Sequence, residues 1–292
     1  MKLGISGQLL SQTRSLEEIL QILNEYKIKD IEIWPCNIPP LKGCKELNPD
    51  TYEGRDIKLA KEILGKYGVE AVCLSMPGAF NDEASKSSEL YSKSLVYAVD
   101  AAKEIGVDFV NHYCYNICLT ETLDLDRISG FMMPALRRAE ELGITLCLEN
   151  EAHDATRTPE GMLKIIEFMD SPNFKTNFDP TNYYHAGVEA FPYAYELLRK
   201  HIVYVHLKNG CIYNPACGHL EENKGGIMTG RFSGDFIYYP TIPNGAVNID
   251  GLVKRLTEDG YKGNYVLEPH TIPENAKKYY SEDIEFLKGR NF

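Results

Sequence analysis

Eight apolar, strand-like runs alternate with eight amphipathic helical stretches along the chain, and this alternation restricts the possible folds more than any other feature. The runs are Lys2–Ser6, Asp30–Trp34, Val69–Ser75, Phe109–Tyr113, Ile144–Glu149, Lys175–Asp179, Ile202–Leu207 and Asn264–Glu268. They are rich in β-branched and aromatic residues and bounded by turn residues, as expected of parallel strands buried on both faces. The helical stretches lie near Leu16–Tyr26, Tyr52–Lys66, Ser87–Ile105, Asp126–Leu142, Thr158–Met169, Ala190–Lys200 and Ile249–Glu258, with a last one near Glu274–Leu287. Eight strand-helix units at this spacing predict a closed (β/α)8 barrel. An open doubly wound sheet would favour a Gly-rich phosphate turn after the first strand, and Gly4-Ile5-Ser6-Gly7 lacks the rest of that fingerprint.

Local punctuation agrees with this division. Gly68, Gly106, Gly143 and Gly260 follow or close helices, and Thr158-Pro159 sets a capping residue before a proline in the first turn. The 292 residues are read as a single domain spanning 1–292, since barrels of roughly 250 residues run as one unit. Residues 209–247 interrupt the rhythm with a long stretch rich in Gly, Pro, Asn and Tyr, expected to be a binding loop or lid on the active face.

Charge and cysteine usage narrow the classes of partner. A net charge of −11 argues against nucleic acid, because the basic pairs Arg137-Arg138 and Lys277-Lys278 are helical surface pairs and form no stripe. Eight cysteines scattered without a CxxC pair read as reduced thiols. No signal-type segment and no run of membrane-spanning length is visible, so a cytoplasmic protein without a membrane partner is expected. A homo-oligomer is compatible with the sequence.

Four strand ends carry metal-binding side chains: Glu149 in ITLCLEN, Asp179 in FKTNFDP, His206 in IVYVHLKN and Glu268 in NYVLEPH. Taken singly, each has a plainer explanation. Glu149 and Glu268 read as solvated residues where strands leave the core, Asp179 before Pro180 as a turn initiator, and His206 as a hydrogen-bonded core histidine. Together they fall at the same end of strands five to eight, where such barrels do their chemistry. Three carboxylates and one imidazole suit a single Mn²⁺, Mg²⁺, Co²⁺ or Zn²⁺ ion.

The segments LEN, FDPTN, HLKN and GAVNIDGLVKRLTEDGYKGNYVLE, together with the opening MKLGIS, resemble the sugar phosphate isomerase and epimerase family of xylose isomerase-like TIM barrels. The resemblance extends over essentially the whole chain. It implies a metal held by Glu149, Asp179, His206 and Glu268, and a small sugar or polyol substrate. Two positions depart from the family pattern: Asn209 stands where many relatives have Asp, and Asn182 where epimerase relatives often have His.

The expected activity is isomerisation or epimerisation of a keto sugar, sugar phosphate or inosose by proton transfer through an enediolate, with Glu149 and Glu268 as the proton-transferring pair. Dehydration of a related polyol, of the inosose or dehydroshikimate type, is the nearest alternative, and a non-catalytic sugar-binding barrel a further one. An endonuclease IV-type activity fits poorly with Asn182 and the acidic charge. Substrate contacts are expected from Lys208, which shares the facing of His206, and from His153, His112, Trp34, Arg231 and Asn182. Each of these also has an ordinary reading, as an exposed strand-end or loop residue or as core packing.

Overall fold

The computed structural model describes residues 2–44, 47–77, 88–114, 123–217, 227–229 and 234–289. Eight parallel strands close into a barrel: β1 (Lys2–Ser6), β2 (Asp30–Ile33), β3 (Glu70–Ser75), β4 (Phe109–His112), β5 (Thr145–Glu149), β6 (Phe174–Phe178), β7 (Ile202–Leu207) and β11 (Asn264–Leu267). Closure comes from β1, which pairs with β11 from Lys2↔Asn264 to Ile5↔Leu267 and with β2 from Gly4↔Asp30 to Ser6↔Glu32. The expected (β/α)8 fold is therefore present. No described helix is long and apolar enough to cross a membrane.

Side-chain alternation divides the buried residues into two layers. Outward-facing strand residues such as Ile31, Val110, Leu146, Leu148 and Val205 join helix residues such as Leu20, Ala98, Leu136 and Ile165 in the main core. Cys73, Cys147, Tyr204 and Val266 form a separate cluster inside the barrel. Two residues further along the same strands stand Ser75, Glu149, His206 and Glu268, so the interior changes from apolar to polar within one step of the alternation.

Most helices are fixed by ordinary caps. Ser15 and Glu18 form a capping box at the helix Leu16–Glu25, and Thr158 accepts from the Gly161 amide ahead of Pro159–Met169. Gly68 and Gly143 end their helices in the left-handed region, at φ 61° and 70°, where a Cβ would be strained.

Three expectations need correction. The helix foreseen from Tyr52 begins at Ile57, because the buried Tyr52 hydroxyl donates to the carbonyls of Ile33 and Ser75 and Asp56 caps the helix start. A helix not foreseen, Pro180–His185, follows β6 directly, capped by Asp179. The stretch from Ala190 opens with a wide π-type turn, Ala190–Ala194, before the short helix Tyr195–Leu198.

The described residues of the stretch 209–247 include strands as well as loop. Its strands β8 (Cys211–Ile212), β9 (Ile227–Thr229) and β10 (Phe236–Tyr238) form an antiparallel sheet in the order β8-β10-β9. Asn209 ties its ends together: the amide donates to the carbonyls of Ile242 and Val247 at 2.8 and 3.1 Å and accepts from the Val247 amide at 3.0 Å. An Asp could accept but not donate, which gives Asn209 a structural reason. Gly245 packs so closely on it that an added Cβ would sit 2.1 Å from Asn209 Cγ.

Candidate active site

Each strand end at the barrel mouth places one polar side chain by the same alternation that buries the residue two positions before it. Glu149 closes β5 and Asp179 follows β6. His206 lies near the end of β7, and Glu268 follows β11. One ligand atom from each of the four lies within 4.8 Å of all the others, and all four residues are buried. The set found in the sequence is thus brought together in space.

Hydrogen bonds fix these side chains individually. Asp179 Oδ1 accepts from the Thr181 and Asn182 amides at 2.8 and 2.9 Å, while a reciprocal pair with Asn150 holds its backbone. Glu149 Oε2 accepts from Asn111 and Asn177 at 2.8 and 3.2 Å, and Oε1 accepts from Asn182 at 3.2 Å. His206 Nε2 lies 2.7 Å from Glu32 Oε2, leaving Nδ1 aimed at Glu149 and Glu268, at 3.2 and 3.5 Å. Lys208 Nζ sits between Asp179 at 2.6 Å and Glu268 at 2.7 Å.

The donor set fits a divalent cation on two observations. His206 Nδ1 and Asp179 Oδ2 are buried with ion-pair contacts as their partners, Nδ1 facing Glu149 and Glu268 and Oδ2 facing Lys208. The buried carboxylates Glu32, Glu149, Asp179 and Glu268 also outnumber the cationic side chains Lys208 and His206, so positive charge is favoured between them. Burial opposes charge on Lys208 and His206. The carboxylates around each outweigh it and hold both groups well above their ordinary values. Burial likewise works against ionised Glu268, but Lys208 and His206 keep its carboxyl well below the usual range.

Above this cluster opens a cavity of about 320 Å³, whose lining includes Gln8, Trp34, Tyr113, Glu151, His153 and Tyr239. Glu149, Glu268, Lys208 and Asn182 reach it as well, as do His185 and His270. His153 packs edge-on against His185 at 4.9 Å, and the Tyr239 hydroxyl lies 2.9 Å from His185 Nδ1. Burial, with Asp154 and Glu149 nearby, pushes the Glu151 carboxyl up to about 8.

The residues expected to contact substrate divide accordingly. Trp34, His153, Asn182 and Lys208 line the cavity. His112 does not: it is packed edge-on against Phe174 at 5.8 Å, and burial pushes its imidazole down to about 3. The alternation that turns Asn111 inward to Glu149 turns His112 outward, which corrects the expectation that it faces the pocket. Arg231 lies outside the described residues. Sequence reasoning missed Glu32, Asn111, Asn177, His185, Tyr239 and His270. For Glu32 and Asn111 the inward register of β2 and β4 was a usable signal. Tyr239 and His185 come from segments whose course the sequence did not reveal.

Residues 20–290 match a family model described as xylose isomerase-like TIM barrel. No curated protein matches the chain. Solved structures with the same fold include a D-tagatose 3-epimerase-like protein, 21% identical with TM-score 0.68 and all of both chains covered. A probable 3-DHS dehydratase, AsbF, from Bacillus anthracis is 16% identical with TM-score 0.69, covering 99% of each chain. The IOLI protein with a binding zinc atom is also 16% identical with TM-score 0.69, covering 100% of this chain and 99% of its own.

Proposed function

The chain belongs to the xylose isomerase-like TIM barrel family, and from that premise we propose that it is a divalent-metal-dependent isomerase or epimerase of a keto sugar, sugar phosphate or inosose. The observation that carries this reading is the buried Glu149, Asp179, His206 and Glu268 set, its donor atoms within 4.8 Å of one another at the floor of a polyol-sized cavity. Those four residues would hold the ion. When bound, Mn²⁺, Mg²⁺, Co²⁺ or Zn²⁺ supplies Lewis-acid polarisation of a carbonyl and its neighbouring hydroxyl, which acidifies the adjacent C–H. A neighbouring barrel with a zinc atom is consistent with such a site.

The protein's own groups then handle the proton. Glu149 and Glu268 come from β5 and β11, separated around the barrel by β6 and β7, so they approach a bound carbon from different sides. One removes the proton and the other returns it, which inverts a stereocentre; return by the same face to the adjacent carbon isomerises instead. Lys208, ion-paired to Glu268 and Asp179, keeps Glu268 ionised and ready to accept, and offers N–H to a substrate oxygen. Trp34, His153 and Asn182 orient the polyol from the cavity wall.

Dehydration is a second reading, favoured by one observation: Glu151 lines the same cavity and adds a carboxyl for protonating a departing hydroxyl. The likeness to a probable 3-DHS dehydratase supports the same outcome. The test is a panel of keto sugars and inososes with Mn²⁺ in D₂O. Deuterium incorporation with a stereoisomeric product supports epimerisation, loss of water supports dehydration, and metal binding without exchange supports a binding protein. Glu268→Gln is expected to keep the fold and lower α-hydrogen exchange by roughly 10²–10⁴-fold, the usual contribution of a positioned base. Exchange at the wild-type rate removes Glu268 from the reaction.

A further inference from the structure

Glu32 belongs to no ligand set and does not line the cavity, yet it is a fully buried carboxylate inside the barrel. Such a group is retained only where its oxygens are well occupied. Oε1 accepts from Ser6 Oγ at 3.0 Å and Trp34 Nε1 at 2.9 Å, and Oε2 meets His206 Nε2 at 2.7 Å. Ser6 is itself held by the Trp34 indole at 2.8 Å, so the carboxylate is held by β1, by the turn after β2 and by β7, through Ser6, Trp34 and His206. The register between β2 and β3 slips by one residue at Ile31/Glu32, a local adjustment of the kind that re-aims a side chain near a functional site.

The consequence falls on His206. With Oε1 accepting from Ser6 and Trp34, Oε2 is the oxygen turned to His206, and an Nε2–H donating to it satisfies both atoms. Nδ1, directed at Glu149 and Glu268, is then the nitrogen that gives up its proton and presents a lone pair when an ion takes the site. We propose that Glu32 is a positioning residue that selects the Nε2–H tautomer of His206 and locks its ring so that Nδ1 serves as the ligand atom. This rests on the metal reading above. The carboxylate also makes the imidazole a stronger donor, and loss of such a partner commonly weakens metal binding 10–100-fold. Of the four candidate ligands, Glu32 is hydrogen-bonded to His206.

The test is a double-mutant cycle on Mn²⁺ affinity, measured by titration calorimetry with folding checked by circular dichroism. Glu32→Gln, nearly isosteric, is expected to weaken Mn²⁺ binding 10–100-fold in the wild-type background. In a His206→Ala background the same substitution is expected to weaken binding clearly less, because the contact through the imidazole is gone and only the direct effect of one buried charge remains. Equal weakening in both backgrounds makes Glu32 a general structural residue and overturns the proposal. Wild-type affinity in Glu32→Gln overturns it while leaving the metal reading intact; a wild-type protein that binds no Mn²⁺ overturns both. Should Glu32→Gln fail to fold, ¹⁵N-imidazole NMR of the zinc-loaded wild type decides. The expected spectrum has His206 protonated at Nε2 with zinc on Nδ1, and the reverse arrangement refutes the assignment.

Discussion

The two halves of the barrel treat the same mouth differently. Strands β5, β6, β7 and β11 deliver Glu149, Asp179, His206 and Glu268, side chains that converge with one ligand atom from each within 4.8 Å of the others. Strands β1, β2 and β4 deliver Ser6, Glu32 and Asn111, whose polar atoms support the first group: Glu32 bonds His206, Asn111 bonds Glu149, and Ser6 steadies Glu32. One half presents the chemistry, and the other only helps to hold it still, alongside Asn177, Asn182 and Lys208 of the first half. A buried carboxylate-rich cluster without such partners would relax to relieve like-charge repulsion, so orientation is what keeps its ligand atoms turned inward.

This division can be broken by exchanging damage between the halves. Glu149→Gln removes both a ligand oxygen charge and a proton acceptor. It is expected to lower α-hydrogen exchange roughly 10²–10⁴-fold and to weaken Mn²⁺ binding, read by deuterium incorporation and calorimetry. Asn111→Ala leaves every ligand in place and removes only the 2.8 Å hydrogen bond to Glu149 and the 3.1 Å contact from Asn177. The expected loss is about tenfold in Mn²⁺ affinity, with about 1–3 kcal/mol of stability from the unsatisfied buried groups. If Asn111→Ala proves as damaging to exchange as Glu149→Gln, the two halves are not presenting and supporting but are one inseparable unit.

The halves also differed in how far they could be read from sequence. Glu149, Asp179, His206 and Glu268 stand out because each ends an apolar run with a residue type that binds metal, and because four such endings fall in consecutive units. Ser6 and Asn111 have no such contrast, since small polar residues end strands everywhere for reasons of solvation and turn formation. Glu32 lay in plain view before Trp34, but its partner is 174 positions away and only ring closure brings them together. The barrel itself was legible because strand and helix periodicities are local. The helix Pro180–His185 was not, because Asp179 reads equally as a turn opener until its carboxylate is seen accepting from two amides. The wall formed by Tyr239 and His185 joins residues 54 positions apart, and the sequence between them has no periodicity to follow.

A third carboxylate outside the mouth sharpens the contrast by lacking cations. Asp283, on the helix Ala276–Lys288, is 2% exposed and accepts from the Ile242 amide at 2.6 Å, with Glu282 as its charged neighbour. Burial pushes its carboxyl up to about 7, against the direction taken by Glu268 beside Lys208 and His206. The folded state therefore holds the Asp283 proton more tightly than the unfolded chain does. Its stabilising contribution is complete below pH 3.8, the ordinary aspartate value, and declines until the pH passes about 7. The slope is at most about 1.4 kcal/mol per pH unit. Asp283→Asn keeps an acceptor for Ile242 but cannot ionise, so chemical denaturation across pH 4 to 8 should show that part of the decline removed. An unchanged pH profile in the variant would mean that Asp283 is ionised in the fold after all, and that burial alone does not set the state of a carboxylate behind the barrel.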